Sequence, residues 1–134
     1  MSALIEEKKI TLITNIQEAV FMHAHSELMT RLISVLTDNA IKYTPEGGMI
    51  AISLSQSATR TVLTVENTGE GIEPENLDRV FDRLYRVSKS RSRDEGGSGL
   101  GLAIAKSVVE KYGGSISVES KVGEKTAFHV RIPR

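Results

Sequence analysis

Apolar and polar positions divide this chain into stretches of two periodicities. Residues 10–16, ITLITNI, alternate as a strand does, and so do 49–55 (MIAISLS), 61–67 (TVLTVEN), 115–120 (SISVES) and 126–132 (TAFHVRI). The second and third of these are joined by a short polar turn, which predicts an antiparallel pair. From 26 to 43 the spacing becomes helical. Leu28, Leu32, Val35 and Leu36 form one stripe, and Pro45 followed by Gly47 and Gly48 ends it. A further helix is predicted over 100–112, with Leu100, Ala103, Ile104 and Val108 along one side and Gly113-Gly114 as its stop. Pro74 opens a short helix running to about Phe81. Residues 87–98 hold a single aliphatic residue and read as a loop. Residues 1–9 are charged and without apolar periodicity, so they read as a linker or the end of a preceding helix, with the domain proper over 10–134. Helices and strands interleave without a strict βαβα rhythm. The prediction is a two-layer α/β sandwich, a mixed sheet of about five strands packed on about three helices.

Composition narrows the partners. Lysine plus arginine and aspartate plus glutamate number 17 each, so no overall field recommends nucleic acid or an anionic membrane. The absence of cysteine removes disulfides and thiolate metal sites, in keeping with a reducing compartment. No apolar run approaches the roughly eighteen residues of a membrane span, and the polar start resembles no signal peptide. A soluble, cytoplasmic fragment without direct membrane insertion is expected.

Three stretches carry possible chemistry. In LTDNAIKYTPEGG, at 36–48, Asn39 and Tyr43 continue the apolar stripe, and an amide set among leucines needs a partner. Asp38, Asn39, Lys42 and Tyr43 bring an oxygen donor, a cation and a phenol into one patch, which suits Mg²⁺ carried by a triphosphate. In VENTGEGI, at 65–72, Asn67 is either an ordinary turn asparagine or a group presenting C=O and NH₂ together to adenine. In EGGSGLGLAI, at 95–104, glycines precede a helix start. They read as a simple hinge or as backbone N–H groups aimed at an anion. The spacing fits neither a dinucleotide fold nor a P-loop. Just before it, Arg83, Arg86, Lys89, Arg91 and Arg93 fall within eleven residues, either a solvated loop or one that closes over a polyphosphate.

Together these stretches resemble the catalytic and ATP-binding domain of sensor histidine kinases, in the superfamily of gyrase B, the ninety-kilodalton heat-shock chaperone and MutL. TDNAIKYT is similar to that family's N box, NTGEG to its first glycine box, FDRLYR to its F box and GGSGLGLAIAK to its second glycine box. The resemblance implies the Bergerat ATP-binding fold, with ATP and Mg²⁺ as ligands. It makes Asn39 the metal ligand, puts Lys42 and Tyr43 near the phosphates and has Asn67 read adenine with Gly69, Gly71 and Ile72 beside it. It gives Arg86 to the γ-phosphate, makes 87–97 a lid anchored by Phe81, and brings Gly97, Ser98, Gly99, Leu100, Gly101 and Leu102 to the phosphates. Arg86 and Lys42 would be the catalytic cations.

Three departures from the family pattern matter. Asn67 stands where aspartate is common, and altered affinity is expected. Lys125 stands where a glycine is usual, which would stiffen a turn. Val35 stands where hydrolysing relatives carry a water-activating glutamate, and valine accepts no proton. The resemblance therefore implies transfer of the γ-phosphoryl to a histidine on a separate dimerisation domain, with a response regulator as an indirect partner. The rival readings are a gyrase-type hydrolysing clamp and a degenerate docking module. His23 and His25 lack the acidic neighbour of a phosphoacceptor and read as surface residues. The parent kinase can be membrane-anchored.

Overall fold

The computed structural model describes residues 2–16, 26–81 and 101–133. In chain order they form α1 (Ser2–Glu7), β1 (Thr11–Ile16), α2 (Ser26–Tyr43), β2 (Met49–Gln56), β3 (Arg60–Thr68), a 3₁₀ helix (Pro74–Arg79), α3 (Gly101–Lys111), β4 (Ser115–Lys121) and β5 (Lys125–Pro133). The strands make one sheet in the order β1-β2-β3-β5-β4. β1 and β2 are parallel, while β2/β3, β3/β5 and β5/β4 are antiparallel. The sheet is mixed because α2 returns the chain to the same end before β2, whereas short turns reverse it after β2 and β4.

Alternation builds the core row by row. Ile52, Val65, Phe128 and Val118 lie side by side across β2, β3, β5 and β4. Leu54, Leu63, Val130 and Ile116 form the next row. Against these pack Leu32, Leu36, Ala40 and Ile41 of α2 and Ala105 and Val109 of α3. Burying each of the larger side chains contributes about 1.5–3 kcal/mol. The other sheet face is polar, with Lys125 paired to Glu66 at 3.3 Å and His129 to Glu119 at 2.7 Å. Among the described residues no helix is long and apolar enough to cross a membrane.

Several sequence expectations change. On α3 the inward set is Ala105 and Val109, flanked by Leu102 and Val108, while Ile104 is 54% exposed. The sequence GLAIAKSVVEK offers two overlapping apolar stripes, and docking on the sheet selects the one through 105 and 109. The helix opened by Pro74 is a 3₁₀ helix that ends at Arg79. Lys125 is the first residue of β5, opposite Thr68 and Lys121, and the turn before it is closed by Glu124 N–H donating to Lys121 C=O at 2.9 Å. It therefore stiffens no turn. Residues 1–9 contribute the short helix α1, whose chain turns into the sheet through buried Ile10. His23, His25, the side chain of Leu28 and the basic loop 83–98 lie outside the described residues.

One core position is chemically mismatched. Thr37 is fully buried, and its Oγ1 has no hydrogen-bond partner among the described residues. Such an orphan hydroxyl costs about 1–3 kcal/mol, while valine keeps the shape and a similar helix propensity. Thr37→Val should therefore stabilise the domain by about 1 kcal/mol, seen as a higher urea midpoint at unchanged slope. An unchanged or lower midpoint would mean that the hydroxyl is satisfied in solution.

Candidate functional site

The next row of the same inner face breaks the apolar pattern. Ile50 is followed by Asn67 on β3, Thr126 on β5 and Ser120 on β4. Here the core ends and a cavity of about 550 Å³ begins. Its floor is Asn67, Thr126 and Phe128, and α2 contributes Asn39, Lys42 and Tyr43. Ile72 and Val80, on either side of the 3₁₀ helix, and Leu102 at the start of α3 close it with apolar surface. Thr44 and Pro45, which end α2, line it together with Thr68, Gly69, Glu70 and Gly71.

Glycine is required where the loop after β3 meets its neighbours. At Gly69 an added Cβ would sit 2.7 Å from the Tyr43 carbonyl oxygen. Gly71 has φ +78, and a Cβ there would lie 2.8 Å from the Lys121 carbonyl oxygen. The loop is then stitched to the β4–β5 turn. Ile72 N–H donates to Ser120 Oγ at 2.8 Å, and Gly123 N–H donates to Glu70 C=O at 2.7 Å. Ser120 donates onward to Lys125 C=O at 2.8 Å and meets Thr126 Oγ1 at 3.0 Å.

The two asparagines are held differently. Asn67 is 5% exposed, and its Nδ2 donates to the Thr68 carbonyl at 2.9 Å. That bond leaves Oδ1 and the second N–H available. Asn39 is half-buried, lines the cavity, and its side chain makes no hydrogen bond among the described residues. It does not sit dry among leucines as the stripe suggested. The residues of α2 at 32, 36 and 40 are buried, and 35, 39 and 43 lie on the half-buried flank. Asp38, about 100° further round the helix, is exposed and outside the cavity lining. Val35 packs against the core rather than lining the cavity, its Cγ1 3.6 Å from where a Gly101 Cβ would stand.

Of the expected site residues, Asn39, Lys42, Tyr43, Asn67, Gly69, Gly71, Ile72 and Leu102 meet at this one cavity, and Gly101 begins α3 beside it. Arg86, Gly97, Ser98, Gly99 and Leu100 lie outside the described residues. Phe81 packs on the core edge-on to Phe128, ring centroids 5.9 Å apart, with Lys106 Nζ 5.6 Å from its ring centre. Sequence reasoning missed Ser120, Thr126 and Lys8. A hydroxyl at the last inward position of SISVES and at the first of TAFHVRI was the available signal for the first two. Lys8, more than thirty residues from its partners on α2, gave none.

Comparison with known proteins agrees with this arrangement. The family model for histidine kinase-, DNA gyrase B-, and HSP90-like ATPases matches residues 24–134. The sensor protein SrrB of Staphylococcus aureus is 42% identical over 106 residues, which are 79% of this chain and 18% of SrrB. The chain thus spans about a fifth of the length of such relatives. The mycobacterial sensor histidine kinase MprB superposes with a TM-score of 0.77 at 29% identity, covering 98% of this chain and 89% of that one. Full-length ShkA, crystallised with AMPPNP, superposes with a TM-score of 0.80 at 25% identity, covering 99% of this chain and 27% of ShkA. With the inner-face row turning polar beneath α2 and the glycine loop closing on it, the chain belongs to the histidine kinase-, gyrase B- and HSP90-like ATPase family and is homologous to the ATP-binding catalytic domains of sensor histidine kinases.

Proposed function

We propose that the chain binds Mg²⁺-ATP and transfers the γ-phosphoryl group to a histidine on a separate helical dimerisation domain, from which a response regulator is served. The observation that carries this reading is the meeting of Asn39 and Asn67 at one cavity, one from the helix layer and one from the sheet. Asn67 would take the adenine edge. The N-terminus of α3, at Gly101 and Leu102, would face the phosphates with unpaired backbone N–H groups and a partial positive charge. Arg86 would join them at the γ-phosphate, with Lys42 as the second cation.

Asn39 suits magnesium. Its half-buried amide makes no hydrogen bond among the described residues, and Mg²⁺ takes hard oxygens, with one or two protein ligands beside phosphate oxygens and waters. When bound, the ion would neutralise charge on the phosphates. Residues 1–9 would then be the junction with the dimerisation domain, on the cytoplasmic side where ATP is available.

Val35 supports transfer over hydrolysis, because a core-packed valine supplies no base for water while an acceptor imidazole is itself a nucleophile. The test is to mix the chain with radiolabelled ATP and Mg²⁺, with and without the cognate histidine-bearing domain. Labelled acceptor, an unlabelled catalytic chain and negligible phosphate release are expected. Brisk release without acceptor would establish the hydrolysing clamp instead, and nucleotide binding without transfer would establish a docking module.

A further inference from the structure

We infer that Lys8 is a positioning residue for the nucleotide, tying α1 to the base end of the cavity; the inference rests on the nucleotide reading above. Lys8 follows α1, and its side chain crosses to the far end of α2. There Nζ donates to Ile41 C=O at 2.8 Å, Thr44 C=O at 3.1 Å and Lys42 C=O at 3.5 Å. The last carbonyls of a helix have no partner within it, and a cation at that end also opposes the negative pole of the helix dipole. One ammonium has three donors, and here three carbonyls take them. Lys8 lines the cavity, yet its charge acts on the backbone of α2 and not directly on a ligand.

Backbone bonds make the connection taut. Gly47 N–H donates to Lys8 C=O at 2.8 Å, and Thr11 N–H donates to Gly48 C=O at 2.9 Å, so the α1–β1 turn is bonded to the loop after α2 both at Lys8 and three residues on. Ile10 N–H donates to Ile5 C=O at 3.0 Å, which leaves no slack between α1 and β1. The end of α2 in turn bears on the base subsite. The point where a Gly69 Cβ would stand is 2.7 Å from Tyr43 C=O, 3.5 Å from Asn67 Nδ2 and 3.7 Å from Pro45 Cδ. Met49 N–H, next in the same loop, donates to Thr68 Oγ1 at 2.9 Å, and Thr68 C=O is the group that orients Asn67. A shift of the α2 terminus therefore displaces the wall on which a base would rest. By reciprocity, nucleotide held against that wall fixes the seat of α1.

Calorimetric titration of the chain with adenosine and, separately, with tripolyphosphate in Mg²⁺ tests this. Lys8→Met keeps the aliphatic stem and loses the ammonium, so adenosine affinity should fall by about fivefold or more, while tripolyphosphate affinity, touched only through the Lys42 end of the cap, should fall by no more than about twofold. Lys8→Arg should restore adenosine binding. A residue serving stability alone would lower the melting temperature and leave both affinities of the folded protein unchanged, and that result overturns the inference while the nucleotide reading stands. Equal losses for both ligands also overturn it, since the effect would not be confined to the base end. If the unmodified chain binds neither ligand, the nucleotide reading falls and this inference with it. Lys8→Gln, which retains two donors, replaces Lys8→Met if the latter does not fold, with an intermediate loss of adenosine affinity expected and no loss overturning the inference.

Discussion

Asn39→Ala should abolish the magnesium dependence of ATP binding, lowering affinity in the presence of the ion by on the order of a hundredfold while leaving affinity in EDTA unchanged. The fold should survive. The Asn39 side chain makes no hydrogen bond among the described residues, so its removal orphans no partner, and alanine raises helix propensity at a position inside α2. Far-UV circular dichroism checks the fold, and titration with ATP at several Mg²⁺ concentrations checks the binding. If metal-dependent binding persists in the variant, the ion is held elsewhere and Asn39 is only a polar residue on the cavity wall.

Discrimination against guanine should be the second large effect, with GTP binding weaker than ATP by roughly 5- to 150-fold, the equivalent of about 1–3 kcal/mol for a bidentate pair. Adenine offers an N–H beside a ring acceptor, and guanine reverses the two. An asparagine free to turn over would satisfy either base. Asn67 is not free: its Nδ2 is held by Thr68 C=O at 2.9 Å, and turning the amide would set its own carbonyl oxygen against that acceptor. Asn67→Leu, close in shape, should weaken ATP by a similar factor and remove the preference between the two nucleotides. Equal affinity of the unmodified chain for ATP and GTP would sink the adenine assignment.

The strands were legible because each carries its inward set at every second position, and the antiparallel pairing of β2 with β3 follows from the short turn between them. α2 was legible from its stops at Pro45 and Gly47-Gly48. α3 was misread because its sequence offers two overlapping apolar stripes, and only packing against the sheet decides that 105 and 109 go in while 104 stays out. The glycine loop and the asparagines were readable as local motifs. The hydroxyls of Ser120 and Thr126 stand six residues apart across the β4–β5 turn and gave a local signal, whereas the cap on α2 joins residues 33 to 36 positions apart, so no local window of sequence contains it. Lys125 was placed in a turn because the family pattern has a glycine there, whereas in this chain it already pairs as the first residue of β5.

β1 sits at the edge of the sheet, paired on one side with β2 and exposed on both faces from Thr11 to Asn15. Detaching it surrenders little apolar burial, so its opening free energy lies well below that of the central strands and belongs to the weakest cooperative unit of the sheet. That unit is not mechanically isolated. Thr11 N–H is bonded to Gly48 C=O, and Lys8 caps α2, so peeling the edge away also loosens the wall beside Asn67. Partial unfolding at the margin and slackening of the ligand site are then coupled equilibria. A bound nucleotide that holds the wall raises the opening free energy of a strand it never touches, and the edge of the sheet becomes the place where occupancy is felt as stiffness.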